Sequence, residues 1–101
     1  MAPLELMVLK TLDGGPNHGF GITLHIQKAS GGLLDVEEGS LYPALHRLEK
    51  EGMLSSEWNT TPAGRKARFY SLTAQGRKRL AKAEEQWGNV AKGIGRLLRF
   101  A

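Results

Sequence analysis

Apolar residues recur along this chain with two periods, and each change of period marks an element. Residues 3–13 (PLELMVLKTLD) place Leu4, Leu6, Met7, Val8, Leu9 and Leu12 on nearly every side of a helix opened by Pro3, a residue suited to a first helical turn. A surface helix shows one apolar stripe, so a helix apolar all round needs cover on two sides. The domain core supplies one, and a partner subunit is the simplest source of the other. Gly14-Gly15-Pro16 then breaks the chain. Asn17 is placed to cap a second helix over residues 18–30, with Ile22, Ile26 and Ala29 on one face, flanked by Phe20 and Leu24. Gly19 and Gly21 cost that helix roughly 1 kcal/mol each relative to alanine, which points to close backbone packing there. Gly31-Gly32 ends it, and residues 33–36 read as a short strand.

The helical period returns over residues 39–51. Leu41, Ala44, Leu45 and Leu48 fall on one face and point to the core. Tyr42, Pro43, His46 and Lys50 project outward, with Ser40 and Arg47 at the margin. A proline deep in a helix costs about 3 kcal/mol. A start near Gly39 or Ser40 would put Pro43 in the first turn, and a start at Glu38 would force that turn to bend. Gly52 closes the helix. The period then drops to two: MLSSEWN and RKARFYSL are strands around the turn-rich TTPAG. Alternation puts Arg68, Tyr70 and Leu72 on one face of the second strand and Ala67, Phe69 and Ser71 on the other. Thr73 caps a last helix reaching about Leu98. Its apolar residues Leu80, Ala83, Trp87, Val90, Ile94 and Leu97 step by three and four, a coiled-coil seam.

Composition narrows the function. With 101 residues the chain suits one small domain, and without cysteine it has neither disulfides nor thiolate metal sites. No apolar run approaches the ~20 residues of a membrane span, and the first ten residues lack a secretory signal. A cytoplasmic protein without membrane association is expected. The net charge of +4 hides an asymmetry: residues 1–64 hold four basic and eight acidic side chains, residues 65–101 ten basic and two acidic. A local basic footprint of this kind is either a solvated surface or a site for phosphate.

The order helix, helix, helix, basic hairpin, helix is that of a winged helix-turn-helix, in which the second helix of the motif enters the major groove. The expected fold is mainly α with a small β-hairpin: residues 1–72 form a winged helix-turn-helix DNA-binding domain, and residues 73–101 a C-terminal dimerisation helix. Glu49 and Glu51, at the far end of the reading helix, can point away from the groove. Phosphate attraction then falls to Arg65, Lys66 and Arg68 in the wing and to Arg77, Lys78, Arg79 and Lys82 at the start of the last helix. Phosphate contacts give affinity and register, and base contacts give sequence. A reading helix therefore need not be the basic one.

GSLYPALHRLEKEGML, AGRKARFYSLTAQGRKRL and HGFGI resemble motifs of the PadR family of bacterial transcriptional regulators, over Leu4 to Trp87. The likeness is to its short subtype, with a single C-terminal helix. It implies a winged-helix homodimer held by the first and last helices, usually a repressor of a nearby operon. By position, Ser40, Tyr42, Pro43 and Arg47 match the recognition-helix motif. Gly64, Arg65 and Arg68 match the wing, and Tyr70, Leu72 and Thr73 the strand leading to the last helix. The acidic start Glu37-Glu38 departs from the usual Ser or Asn cap; helix-dipole stabilisation is its expected role, and a glutamate can also accept from a cytosine amine.

The expected partners are double-stranded DNA, through Ser40, Tyr42, Pro43, His46, Arg47, Lys50, Arg65, Lys66 and Arg68, and a second copy of the chain, through Leu4, Val8, Leu80, Ala83, Trp87, Val90, Ile94 and Leu97. Trp58 can pack under the wing or contact the DNA backbone, and packing is the expected role. Trp87 serves the dimer core first, and the resemblance also permits a small planar aromatic effector beside it. No cofactor is expected. His18, His25 and His46 lack partners at metal-ligand spacing, and no nucleophile elbow or other catalytic arrangement is present. The rival reading is a winged-helix module that binds protein and not DNA, against which the basic wing argues.

Overall fold

The computed structural model describes residues 3–99. Residues 1–2 and 100–101, the outer ends of the two expected parts, lie outside the described residues. The elements run α1 (Pro3–Asp13), β1 (Asn17–His18), α2 (Gly19–Ala29), α3 (Glu38–Lys50), β2 (Leu54–Thr60), β3 (Lys66–Leu72) and α4 (Ala74–Leu98). The fold is mainly helical with one small antiparallel sheet, as its hydrophobic periods predict.

That sheet has three strands in the order β1-β3-β2. The β2–β3 hairpin pairs Leu54 with Leu72 at its base and Thr60 with Lys66 near its tip, without a bulge. The third strand is not the one predicted. Residues 33–36 form no strand; the two residues of β1 pair instead with Tyr70 and Phe69. The physical reason lies in Gly31 and Gly32, both at positive φ (66° and 82°), which end α2 in a turn leading into an exposed loop. Leu33 there is 89 % exposed and meets no strand edge.

The same strand moves a predicted cap. Asn17 sits in β1, its Oδ1 accepting from the His18 amide at 2.8 Å. The cap of α2 is His18, in extended conformation, whose Nδ1 accepts from the Gly21 amide at 3.3 Å. Gly21 packs closely here: a Cβ would meet the Asn17 side-chain amide and displace it.

Val8, Leu9, Ile22, Leu41, Leu45, Leu48 and Tyr70 form the fully covered centre of a core completed by Leu12, Ile26, Leu54, Leu72 and Leu80. Every helix and both hairpin strands contribute, so a single apolar centre organises the chain. The Thr73 cap is realised: its hydroxyl accepts from the Gly76 amide at 3.0 Å, and the same oxygen lies 2.7 Å from the Gly52 carbonyl, to which it donates. The start of α4 is thereby tied to the end of α3. The 25 residues of α4 span roughly 37 Å at 1.5 Å per residue, most of the 49 Å long axis of the molecule.

One expectation about the dimer contacts is corrected. Val8, Leu80 and Ala83 were assigned to a subunit interface, but each is at most 4 % exposed within the single chain. They pack into the chain's own core and offer no surface to a partner. The remainder of the seam differs: Trp87 is half-buried, while Val90, Ile94 and Leu97 are 46 %, 50 % and 80 % exposed. Leu4 is partly buried at the edge of the core.

Candidate nucleic-acid interface

Helix α3 begins at Glu38, the earlier of the starts weighed from the sequence, behind Glu37, which makes no side-chain cap bond. Pro43 thus lies inside the helix. Its missing N–H leaves the carbonyl of Gly39 without the usual helical partner, and Gly39 is exposed, with open space around its Cα. The proline cost is met where water can satisfy the orphaned oxygen. Leu41, Ala44, Leu45 and Leu48 are 2 % exposed or less, which fixes the outward stripe by default. Ser40, Tyr42, Pro43, His46, Arg47 and Lys50 are all exposed.

The outward residues divide into two sets. Glu38, Tyr42 and His46, four residues apart, face a cleft of about 980 Å³ between α3, the start of α2 and the wing. The inner face of the wing supplies Arg68, Lys66 and Trp58 to the same cleft, with Arg65 at the tip. Tyr42 leans on the backbone of α2: a Cβ at Gly19 would lie 2.6 Å from its hydroxyl. The structure therefore brings Tyr42, His46, Arg65, Lys66 and Arg68 around one concavity. Ser40, Pro43, Arg47 and Lys50 line the other flank of α3, outside it.

The cations around this cleft are not equivalent. Among the described residues, neither Arg65 nor Lys66 has a carboxylate within ion-pair distance. The tip that carries them is shaped by Gly64 at φ 84° and by Thr61, whose amide donates to the Arg65 carbonyl at 2.7 Å. Arg68 is tethered, its Nε donating to Ser56 Oγ at 2.8 Å and its Nη2 lying 3.4 Å from Glu49. Arg47 is held across α1 by Glu5, with Nη2 at 2.9 Å and Nε at 3.2 Å. At the start of α4, Arg79 lies 2.9 Å from Glu51 and Arg77 3.5 Å from Asp13. Two of the four α4 cations expected to face phosphate are therefore engaged within the chain.

Two aromatic side chains sit elsewhere than expected. Trp58, expected beneath the wing, is 67 % exposed, and Phe20 is 60 % exposed; both line the cleft. Trp58 lies on the same face of β2 as the buried Leu54, but the core ends before the strand does. Tyr70 forms part of the cleft floor. Its phenol is held above the ordinary value of 10.0 by burial, an effect that Arg68 partly opposes and that Glu49 and Tyr42 reinforce.

A model of the transcriptional regulator PadR-like family matches residues 8–82. The transcriptional regulator Rv3488 of Mycobacterium tuberculosis is 33 % identical over 93 residues, covering 92 % of this chain and 83 % of that protein. A transcriptional regulator from Clostridium thermocellum superposes with a TM-score of 0.82 at 27 % identity, over 92 % of this chain and 87 % of that one. Bacillus subtilis PadR in complex with operator DNA shares the fold, with a TM-score of 0.71 at 23 % identity, over 80 % of this chain and 46 % of that one.

Proposed function

Because the chain belongs to the PadR-like family of transcriptional regulators, we propose that it is a sequence-specific DNA-binding repressor acting as a homodimer on a palindromic operator. The observation that carries this reading is the cleft between α3 and the wing. An outward helix stripe of Tyr42 and His46 faces a hairpin whose tip presents Arg65 and Lys66, which have no carboxylate partner among the described residues. A major groove takes a helix, and a wing then meets the neighbouring phosphates. Ser40, Tyr42, Pro43, His46 and Lys50 contact the groove, and Arg65, Lys66 and Arg68 the backbone. Glu38, in the first turn, favours the helix dipole and repels phosphate, which sharpens where a strand can lie.

The second copy is recruited by the uncovered part of the α4 seam. Trp87, Val90, Ile94 and Leu97 continue the seam past the point where the chain's own core ends. An exposed apolar stripe with this spacing fits a partner helix. Residues 73–101 thus serve two ends, anchoring to the winged domain through Leu80 and Ala83 and dimerising beyond them. Replacing Val90 by aspartate is expected to give folded monomers in sedimentation velocity. An unchanged dimer contradicts this assignment. Beside Trp87, the bare helix surface at Gly88 is compatible with a small planar aromatic effector that releases the operator, and equally with close approach of the partner helix.

Two-fold symmetry requires half-sites about one helical turn, or a multiple of it, apart. Selection of bound fragments from a random duplex pool tests the reading. An inverted repeat at that spacing is expected. A pool that stays random favours a module that binds protein instead.

A further inference from the structure

Four charged side chains close a ring around the C-terminal end of α3. Arg47, in the last turn of α3, donates both Nε and Nη2 to one carboxylate oxygen of Glu5 on α1. The other oxygen of Glu5 lies 3.9 Å from Arg79 Nη1 on α4. Arg79 Nη1 in turn lies 2.9 Å from Glu51, the residue that caps α3. The ring leaves α3 at Arg47, passes through α1 and α4, and returns to α3 at Glu51. Glu5, its hub, is 12 % exposed, whereas the carboxylates of the more open pairs Lys10–Glu84 and Arg77–Asp13 are 47 % and 42 % exposed.

The apolar side of α3 and this ring constrain the helix in different ways. Leu41, Ala44, Leu45 and Leu48 set its depth and the side that faces out. The ring adds directional contacts at its C-terminal end, and a guanidinium gripped through two nitrogens is among the most directional. These contacts run to α1 and to the first turns of α4, the helix whose far half offers the uncovered seam.

We propose that Glu5 is a positioning residue that couples the pose of α3 to α4 through Arg47 and Arg79, and that Arg47 acts through Glu5 and does not touch DNA. The proposal rests on the DNA-reading role of α3 given above. It makes the operator-reading geometry depend on how α4 sits, which is what a dimer or effector state can change.

The test uses the full chain, its selected operator and a scrambled duplex of equal length, in salt titrations well below the unfolding midpoint. Glu5→Gln and Arg47→Gln are each expected to lower the operator-to-scrambled affinity ratio roughly tenfold while leaving the salt slope unchanged. The double variant is expected to match the single ones, because both break the same ring. Lys10→Gln, which breaks an open pair, is expected to leave the ratio as it was. A slope reduced by about one phosphate in Arg47→Gln means direct contact and overturns the proposal, as does an unchanged ratio in Glu5→Gln. A purely structural role predicts a lower unfolding midpoint with an unchanged ratio, which also overturns it. Should Glu5→Gln fail to fold, Arg79→Gln opens the ring from α4 and is expected to lower the ratio; no change there is equally contrary. Failure of the unaltered protein to prefer any sequence overturns the parent reading and this one with it, an outcome distinct from the others.

Discussion

The wing and the first turns of α4 are both rich in Arg and Lys, and the fold uses the wing-tip pair Arg65 and Lys66 and the helix pair Arg77 and Arg79 in opposite ways. At the wing tip, Arg65 and Lys66 stand on a hairpin with exposed neighbours and, among the described residues, no carboxylate within ion-pair distance. At the start of α4, Arg77 and Arg79 are paired with Asp13, Glu51 and Glu5, while Leu80 and Ala83 beneath them are buried. Exposed cations without partners are available to displace the counterions of DNA. Cations held by carboxylates are not, and they orient helices instead. Local charge density is thus a poor guide to a phosphate site until the partners of each charge are known.

The largest expected effect sharpens the structural side of this contrast. Leu80→Ala should cost about 2–5 kcal/mol of stability, since it deletes a core side chain. Lys66→Ala should stay within about 0.5 kcal/mol of the unaltered protein. Denaturant unfolding checks both, and comparable losses would erase the contrast. The next effect concerns binding. Arg65→Ala and Lys66→Ala should each weaken binding to all sequences and lower the salt slope by about one. Arg77→Ala should leave the slope unchanged. A slope that falls with Arg77→Ala as well would show that its pair with Asp13 opens on DNA.

The smallest effect comes from Tyr70, under the wing. Burial holds its phenol above 10.0 in the native state, so the folded chain keeps this proton when the unfolded chain has begun to lose it. Its contribution to stability is complete below pH 10 and declines as the pH rises from there through the raised native value. Tyr70→Phe should remove this alkaline loss, as seen in unfolding midpoints measured between pH 9 and 11. A decline of the same size in both proteins assigns it to other groups.

Much of this organisation is legible in the chain. Periods of 3.6 and 2 locate four helices and the hairpin, and Thr73, a short polar residue before a helical run, identifies its own capping role. What escapes is long-range. Two residues of strand, β1, carry no periodic signal. The pairing of Arg47 with Glu5 joins residues 42 apart in sequence, and no local pattern reports it. The seam on α4 looks uniform from Leu80 to Leu97, because spacing records which side a residue faces and not what covers that side. Trp58 escapes for a related reason: alternation gives the face of a strand correctly but not where the core beneath it stops. Within the candidate site, the helix residues Tyr42 and His46 were found by their phase, and the partners of the wing cations only by the fold.

The central claim is that α3 reads bases while the wing tip holds phosphate. Affinities of the unaltered protein for its selected operator and for a scrambled duplex, measured across salt concentrations, test it most directly. The account predicts a steep salt dependence for both duplexes and an operator preference of at least about 10³. Equal affinity for the two, or binding to either that is indifferent to salt, would contradict it.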